Sequence, residues 1–368
     1  MRGTDGTLEL PGSPAACPDW QVNTGIACAL LGAALFGAST PIAKLLIGEI
    51  GPVILAGLLY AGSGVGLGLW LGARGLIWPA AEWPRFAPGD YKWLAGAVIS
   101  GGVVGPVLLM LALAASSASS VSLLLNLESV FTAVLAWFVF RENFDRRLVL
   151  GMSLIVCGGA ILGWRPGEVG GAWPALAVAG ACLCWALDNN LTRKISAGDS
   201  VKIAGIKGLA AGTVNLCVAA AFGAALPAPQ TAAAAALIGL LGYGVSLALF
   251  VAALRQLGTA RTAAYFSTAP FIGVAASFSL LGEAPDASFW VASVLMAAGV
   301  ALHLTERHRH LHRHEALTHI HPHTHDEHHR HEHDFAWDGA EPHSHTHAHD
   351  PLDHSHAHFP DIHHRHSH

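Results

Sequence analysis

Apolar residues in this chain come in long, nearly unbroken runs. From residue 25 to residue 304 the runs recur at lengths of roughly 18 to 23, which is what about 30 Å of hydrocarbon requires of a helix. The spans are 25–46, 53–72, 93–114, 119–140, 147–163, 173–192, 203–224, 232–253, 260–281 and 288–304. Lipid offers nothing to an unpaired backbone amide, and runs this apolar are not the weakly alternating strands of a membrane barrel. The pattern predicts an all-α membrane protein with ten transmembrane helices.

Composition agrees, and divides the chain. Of 368 residues, 52% are apolar and 12% charged, and the mean hydropathy is +0.45. All 24 histidines lie at or after His303, so two physically different segments join near Leu304. The stretch before the first run, MRGTDGTLELPGSPAACPDW, lacks a basic start followed by an apolar core, so the first helix itself is expected to direct insertion. Residues 1–24 are then a cytoplasmic N-terminal segment.

Lysine and arginine set the orientation. With both termini cytoplasmic, the inner loops and helix ends hold Arg74, Arg85, Lys92, Arg141, Arg146, Arg147, Arg193, Lys194, Lys202, Arg255, Arg261, Arg307 and Arg309, whereas the outer ones hold mainly Lys44 and Arg165. This bias fits an even number of helices.

An internal repeat is visible. At an offset of 141 residues, FVFRENFDRRLVLGMSLIVCGGAIL (138–162) aligns with SLLGEAPDASFWVASVLMAAGVALH (279–303), matching Glu142 with Glu283, Asp145 with Asp286 and Gly158 with Gly299. A weaker match at 149 sets LFGASTPIAKLL (35–46) against CWALDNNLTRKI (184–195). The repeat is therefore five helices long, over 25–163 and 173–304, and an odd number makes the second copy enter the membrane upside down. Inverted repeats of this kind recur in secondary transporters, with the substrate site near midplane between the halves.

LNLESVFTAVLAWFVFRENFDRRLVLGMSLIVCGGAIL and its echo YFSTAPFIGVAASFSLLGEAPDASFWVASVLMAAGVAL resemble the paired EamA-type units of the drug/metabolite transporter superfamily, across roughly residues 25–304. The resemblance implies a polytopic inner-membrane permease for small metabolites or drugs, often an exporter, working by exchange or proton coupling. The family usually has a proline just after the position of Glu128; here Ser129 stands there, while the ninth run keeps Pro270. The motif is shared by carriers of very different substrates, so it identifies the machine and leaves the cargo open.

Polar residues inside the runs are few, and each needs a partner or a water-filled path, because a buried charge costs at least about 2.5 kcal/mol in the bilayer. In LLLNLESVFTAVLAWF (123–138), Asn126 and Glu128 stand with no basic residue between Gly102 and Phe140, and Glu128 is near the midplane. Its carboxyl is either neutral or paired with a cation from another helix, serving as a structural hydrogen bond or as a substrate contact and proton relay. The other substrate or coupling candidates are Asp188, Asn189, Lys207, Tyr265 and Thr268. Lys44 and the cluster from Asp188 to Lys194 lie close enough to helix ends to snorkel. Glycines 62, 64, 66, 68, 101, 102, 105, 151, 158 and 159 read as close helix packing.

The six cysteines suggest no disulfide framework, and Cys182 and Cys184, two apart on a helix, point to different sides. No GxxxxGK[ST] signature and no stretch able to house an ATPase is present, so transport powered by ATP hydrolysis in this chain is not expected; neither an enzymatic role nor a nucleic-acid partner is expected.

Residues 305–368 have too few large apolar residues to fold and read as a disordered, histidine-rich tail. His-x-His spacing lets several imidazoles reach one ion, and imidazole suits zinc, nickel, cobalt and copper. The candidate ligands are His319, His321, His323, His325, His328, His329, His331, His333, His343, His345, His347, His349, His354, His356, His358, His363, His364, His366 and His368. Near pH 5 the imidazoles would charge and the tail would become cationic. Two functions remain: a metabolite permease whose tail buffers or senses metal, and a divalent-metal efflux carrier whose tail gathers the ion. The permease is favoured, because the membrane runs offer almost no histidine. No further cofactor is implied.

Overall fold

The computed structural model describes residues 19–77, 89–140, 146–163, 171–193, 195, 200–257, 262, 265–304, 309–314, 317–323, 343–349 and 352–357. Two compact units divide the chain, Met1–Thr305 and Glu306–His368.

The first unit is helical. Its elements are α1 (Asp19–Ile47), α2 (Pro52–Ile77), α3 (Asp90–Ala97), α4 (Gly105–Ala115), α5 (Ala118–Leu124), α6 (Leu127–Phe140), α7 (Arg146–Gly163), α8 (Trp173–Arg193), α9 (Ser200–Ala221), α10 (Pro229–Gly239), α11 (Ser246–Leu257), α12 (Ala269–Leu281) and α13 (Ala287–Leu304). Each expected run holds helix, with ends shifted by a few residues except in the ninth, where continuous helix starts only at Ala269. Seven stretches of described helix are long and apolar enough to cross a membrane; Ala269–Leu281 and Ala287–Leu302 are apolar but shorter.

Three stretches expected as single smooth helices are interrupted, for chemical reasons. Between α3 and α4 the backbone widens into a π-helical segment, Val98–Val104, where the Gly105 N–H reaches back five residues to the Ser100 carbonyl. Pro106, with no N–H, cannot donate to the Gly102 carbonyl one turn back. A second π segment, Leu240–Val245, joins α10 to α11, and there the Ser246 N–H reaches the Leu241 carbonyl.

The third interruption separates α5 from α6 at Leu125–Asn126. No proline is involved. The Asn126 side-chain amide donates to the Leu123 carbonyl (2.8 Å) and the Ser129 hydroxyl to the Asn126 carbonyl (2.7 Å), so short side chains compete for carbonyls the helix would otherwise use. Before α12 the same device recurs: the Thr268 hydroxyl donates to the Tyr265 carbonyl at 2.6 Å, with Pro270 in the first turn that follows.

Helix packing is tight where residues are small. α2 lies along α9, with Gly64 and Gly208 backbone to backbone, and α7 lies along α13. α1 packs on α11 and α12, and α4 and α6 pack on α8. Gly68, read from sequence as a packing glycine, has open space on its Cβ side.

The ends of this unit are tied by polar groups. The Glu283 carboxylate, in the turn before α13, accepts from the Ala118 and Ser119 N–H groups at 2.7 and 2.9 Å, and the Ser117 hydroxyl accepts from Ser120 N–H, so the free amides opening α5 are satisfied. Lys44 Nζ donates to the Leu113 and Ser116 carbonyls at 2.5 and 2.9 Å, a cation at the negative end of α4.

In the second unit the described residues fall in four strands, β1 (Arg309–His314), β2 (Leu317–His323), β3 (His343–His349) and β4 (Leu352–Ala357). β1 pairs with β4 and β2 with β3, both antiparallel. The register sets His310 opposite His356 and His312 opposite His354, and His319, His321 and His323 opposite His347, His345 and His343.

Candidate functional site

The first π segment builds the polar centre of the helical unit. Gly105 N–H has turned to Ser100 and the next amide nitrogen belongs to Pro106, so the Gly101 carbonyl loses the donors its own helix would supply. Two side chains take their place: Tyr60 of α2 donates at 2.8 Å and the Trp185 indole of α8 at 2.9 Å. The neighbouring Gly102 carbonyl accepts from the Asn215 side chain of α9 at 3.1 Å. The Asn215 amide oxygen, on a residue 1% exposed, has no described partner.

Against Gly101 lies Asp188; a Cβ on that glycine would overlap the carboxylate. Trp185, Asp188 and Thr192 fall at i, i+3 and i+7 on α8 and so share one face. Lys207 of α9 reaches both Asp188 oxygens, at 2.5 and 2.7 Å, and lies 3.3 Å from the Thr192 hydroxyl, which itself donates to Asp188 at 2.9 Å. This is a buried ion pair with its hydrogen bonds largely filled.

One position round α8, Asn189 donates its side-chain amide to Glu128 Oε1 at 2.8 Å. Glu128 is half-buried in the first turn of α6, directly after the helix break. Its described partner is thus neutral, and the cation considered from sequence belongs to Asp188 instead.

From Tyr60 an aromatic chain leads to the second half of the unit. Tyr243, inside the second π segment, stacks 5.4 Å from Tyr60 and 5.9 Å from Phe36; Phe266 lies 5.8 Å from Phe36 and 4.8 Å from Phe250.

Of the residues singled out from sequence, Glu128, Asn189, Asp188 and Lys207 come together here. Asn126, Tyr265 and Thr268 instead shape the two helix breaks. Tyr60, Trp185, Thr192 and the Gly101 carbonyl were missed; the one signal for them was Pro106 four residues beyond a Gly-Gly pair. Cys182 and Cys184 do differ in environment, the first buried, the second half-buried, and the described cysteines are all free. Among the residues whose side chains are described, no three histidine, cysteine, aspartate or glutamate groups gather as metal ligands. Of the tail candidates, His319, His321, His323, His343, His345, His347, His349, His354 and His356 lie in the strands; His325, His328, His329, His331, His333, His358, His363, His364, His366 and His368 lie outside the described residues.

Apolar helices around a small, shared polar centre define a multi-pass membrane transporter of small molecules. The profile of the EamA-like transporter family matches residues 23–164 and 172–305, and the chain belongs to that family. It is 24% identical over 309 residues to an uncharacterized transporter of Methanothermobacter thermautotrophicus, covering 80% of this chain and 90% of that one. A solved structure described only as "Crystal structure of protein" matches at 19% identity with a TM-score of 0.55, covering 77% of this chain and 95% of the other; it speaks for the fold alone.

Proposed function

We propose that this protein is a secondary transporter of the inner (plasma) membrane that exports small metabolites or drugs by proton coupling or exchange. It does so with ten helices in two inverted five-helix repeats, and both termini are cytoplasmic. The observation that carries the reading is reciprocity at the 141-residue offset. Gly158 faces Met296, and Gly299 faces Ile155, so each contact is the other's counterpart. The π segments Val98–Val104 and Leu240–Val245 correspond at nearly the same offset, as do the breaks before α6 and α12. α1 on α11 likewise mirrors α8 on α4. An inverted pair of this kind alternates by moving one half against the other around a shared site. The polar centre of Glu128, Asn189, Asp188 and Lys207 draws on α6, α8 and α9 and is its best candidate.

In this reading the tail binds a divalent transition metal and buffers or senses it. The paired histidine positions of β1–β4 and β2–β3 support binding, and the absence of histidine before residue 303 argues against a metal path through the helices. A growth screen of a deletion strain across metabolites, drugs and metals tests the choice. Sensitivity to organic compounds, relieved by the intact gene, is expected. Loss of metal tolerance alone would favour the metal-efflux alternative.

A further inference from the structure

The charge balance of the polar centre narrows what it can hold. At the centre itself the described charged side chains are two carboxylates, Glu128 and Asp188, and one ammonium, Lys207; of the other described cations on these helices, Arg74 lies in the last turn of α2 and Lys202 in the first turn of α9. Lys207 is fully engaged by Asp188 and Thr192. Lys44 is held far from them by carbonyls at the end of α4. Glu128 is left with a neutral partner, Asn189, and the nearby unfilled polar atom on Asn215 is an acceptor, its amide oxygen. An anion entering here would find no free cation among the described side chains of the centre and would have to take Lys207 away from a buried Asp188, an exchange that leaves a carboxylate uncompensated. A cation meets a half-buried carboxylate, an acceptor in want of a donor, and the ring chain Tyr60–Tyr243–Phe36–Phe266, whose faces favour both positive charge and apolar bulk.

We infer that the substrate class of this site is a small organic cation, an amine carried on an aromatic or apolar body, with Glu128 as its charge-selecting residue. This rests on the permease reading.

Three probes with one ring and different charge test it: tryptamine, indole and indole-3-acetate, titrated by calorimetry into the purified full-length protein at neutral pH. Tryptamine is expected to bind roughly tenfold or more tighter than indole-3-acetate, the scale of one charged hydrogen bond out of water. Glu128→Gln should erase that preference. A preference that survives in Glu128→Gln, equal binding of the acid and the amine, or no binding of tryptamine overturns the inference. Transport of other compounds in the growth screen would leave the permease reading standing. Should the variant fail to fold, the wild-type protein decides by carbodiimide labelling of Glu128, read by mass spectrometry. Tryptamine, and not indole-3-acetate, should protect the carboxyl; absence of protection overturns the assignment.

Discussion

Lys207 and Asp188 illustrate how little freedom a charged residue has inside these helices. Asp188 is 7% exposed and lies against the Gly101 backbone, so it has neither water nor room to move. Removing one partner of such a pair strands the other, a loss of about 3–5 kcal/mol in buried sites. Lys207→Met is therefore expected to lower the melting temperature in detergent sharply. Asp188→Asn combined with Lys207→Met should recover a large part of the loss, because no charge then remains unpaired. A double variant less stable than the single one would show that the pair does not act as a unit.

At the scale of elements, the structure depends on where helices stop. α5 opens on amides held by a residue 165 positions away in sequence, Glu283, whose two oxygens each take one N–H. Glu283→Ala leaves both amides without an acceptor and should destabilise the protein by about 1–2 kcal/mol, the usual cost of a lost cap. Glu283→Gln keeps one side-chain acceptor and should cost about half as much. Thermal unfolding of the two variants checks the order. The interruption between α5 and α6 was not legible in sequence, since Asn126 and Ser129 make it with ordinary side-chain hydrogen bonds. Pro270 had flagged the equivalent place in the other half.

For the whole molecule, the lysine and arginine bias predicts orientation. Reporters fused after Arg74, Arg146 and Leu304 are expected to read cytoplasm, and one after Gly167 the outer side; a tail on the outer side would overturn this orientation. The tail has its own prediction. Deleting residues 308–368 should abolish most nickel or zinc binding in calorimetry and leave the protein inserted, because the expected ligands all lie outside the helices. Metal binding that persists at full strength would transfer the site to the helical unit.

Properties that depend on each residue's own solubility in lipid or water could be read along the chain. Apolar run length placed helix in every expected run, though three runs are interrupted and continuous helix in the ninth starts only at Ala269, and the crowding of histidine after residue 303 marked a second unit. Tertiary structure alone decided which polar residues meet. Glu128 and Asn189 are 61 positions apart and Lys207 and Asp188 are 19. Whether they touch depends on how each helix is rotated about its axis, and helices apolar all round carry no stripe to fix that rotation in advance. Small residues fix it instead, such as Gly101 against Asp188 and Gly64 against Gly208, by allowing one close approach and excluding others.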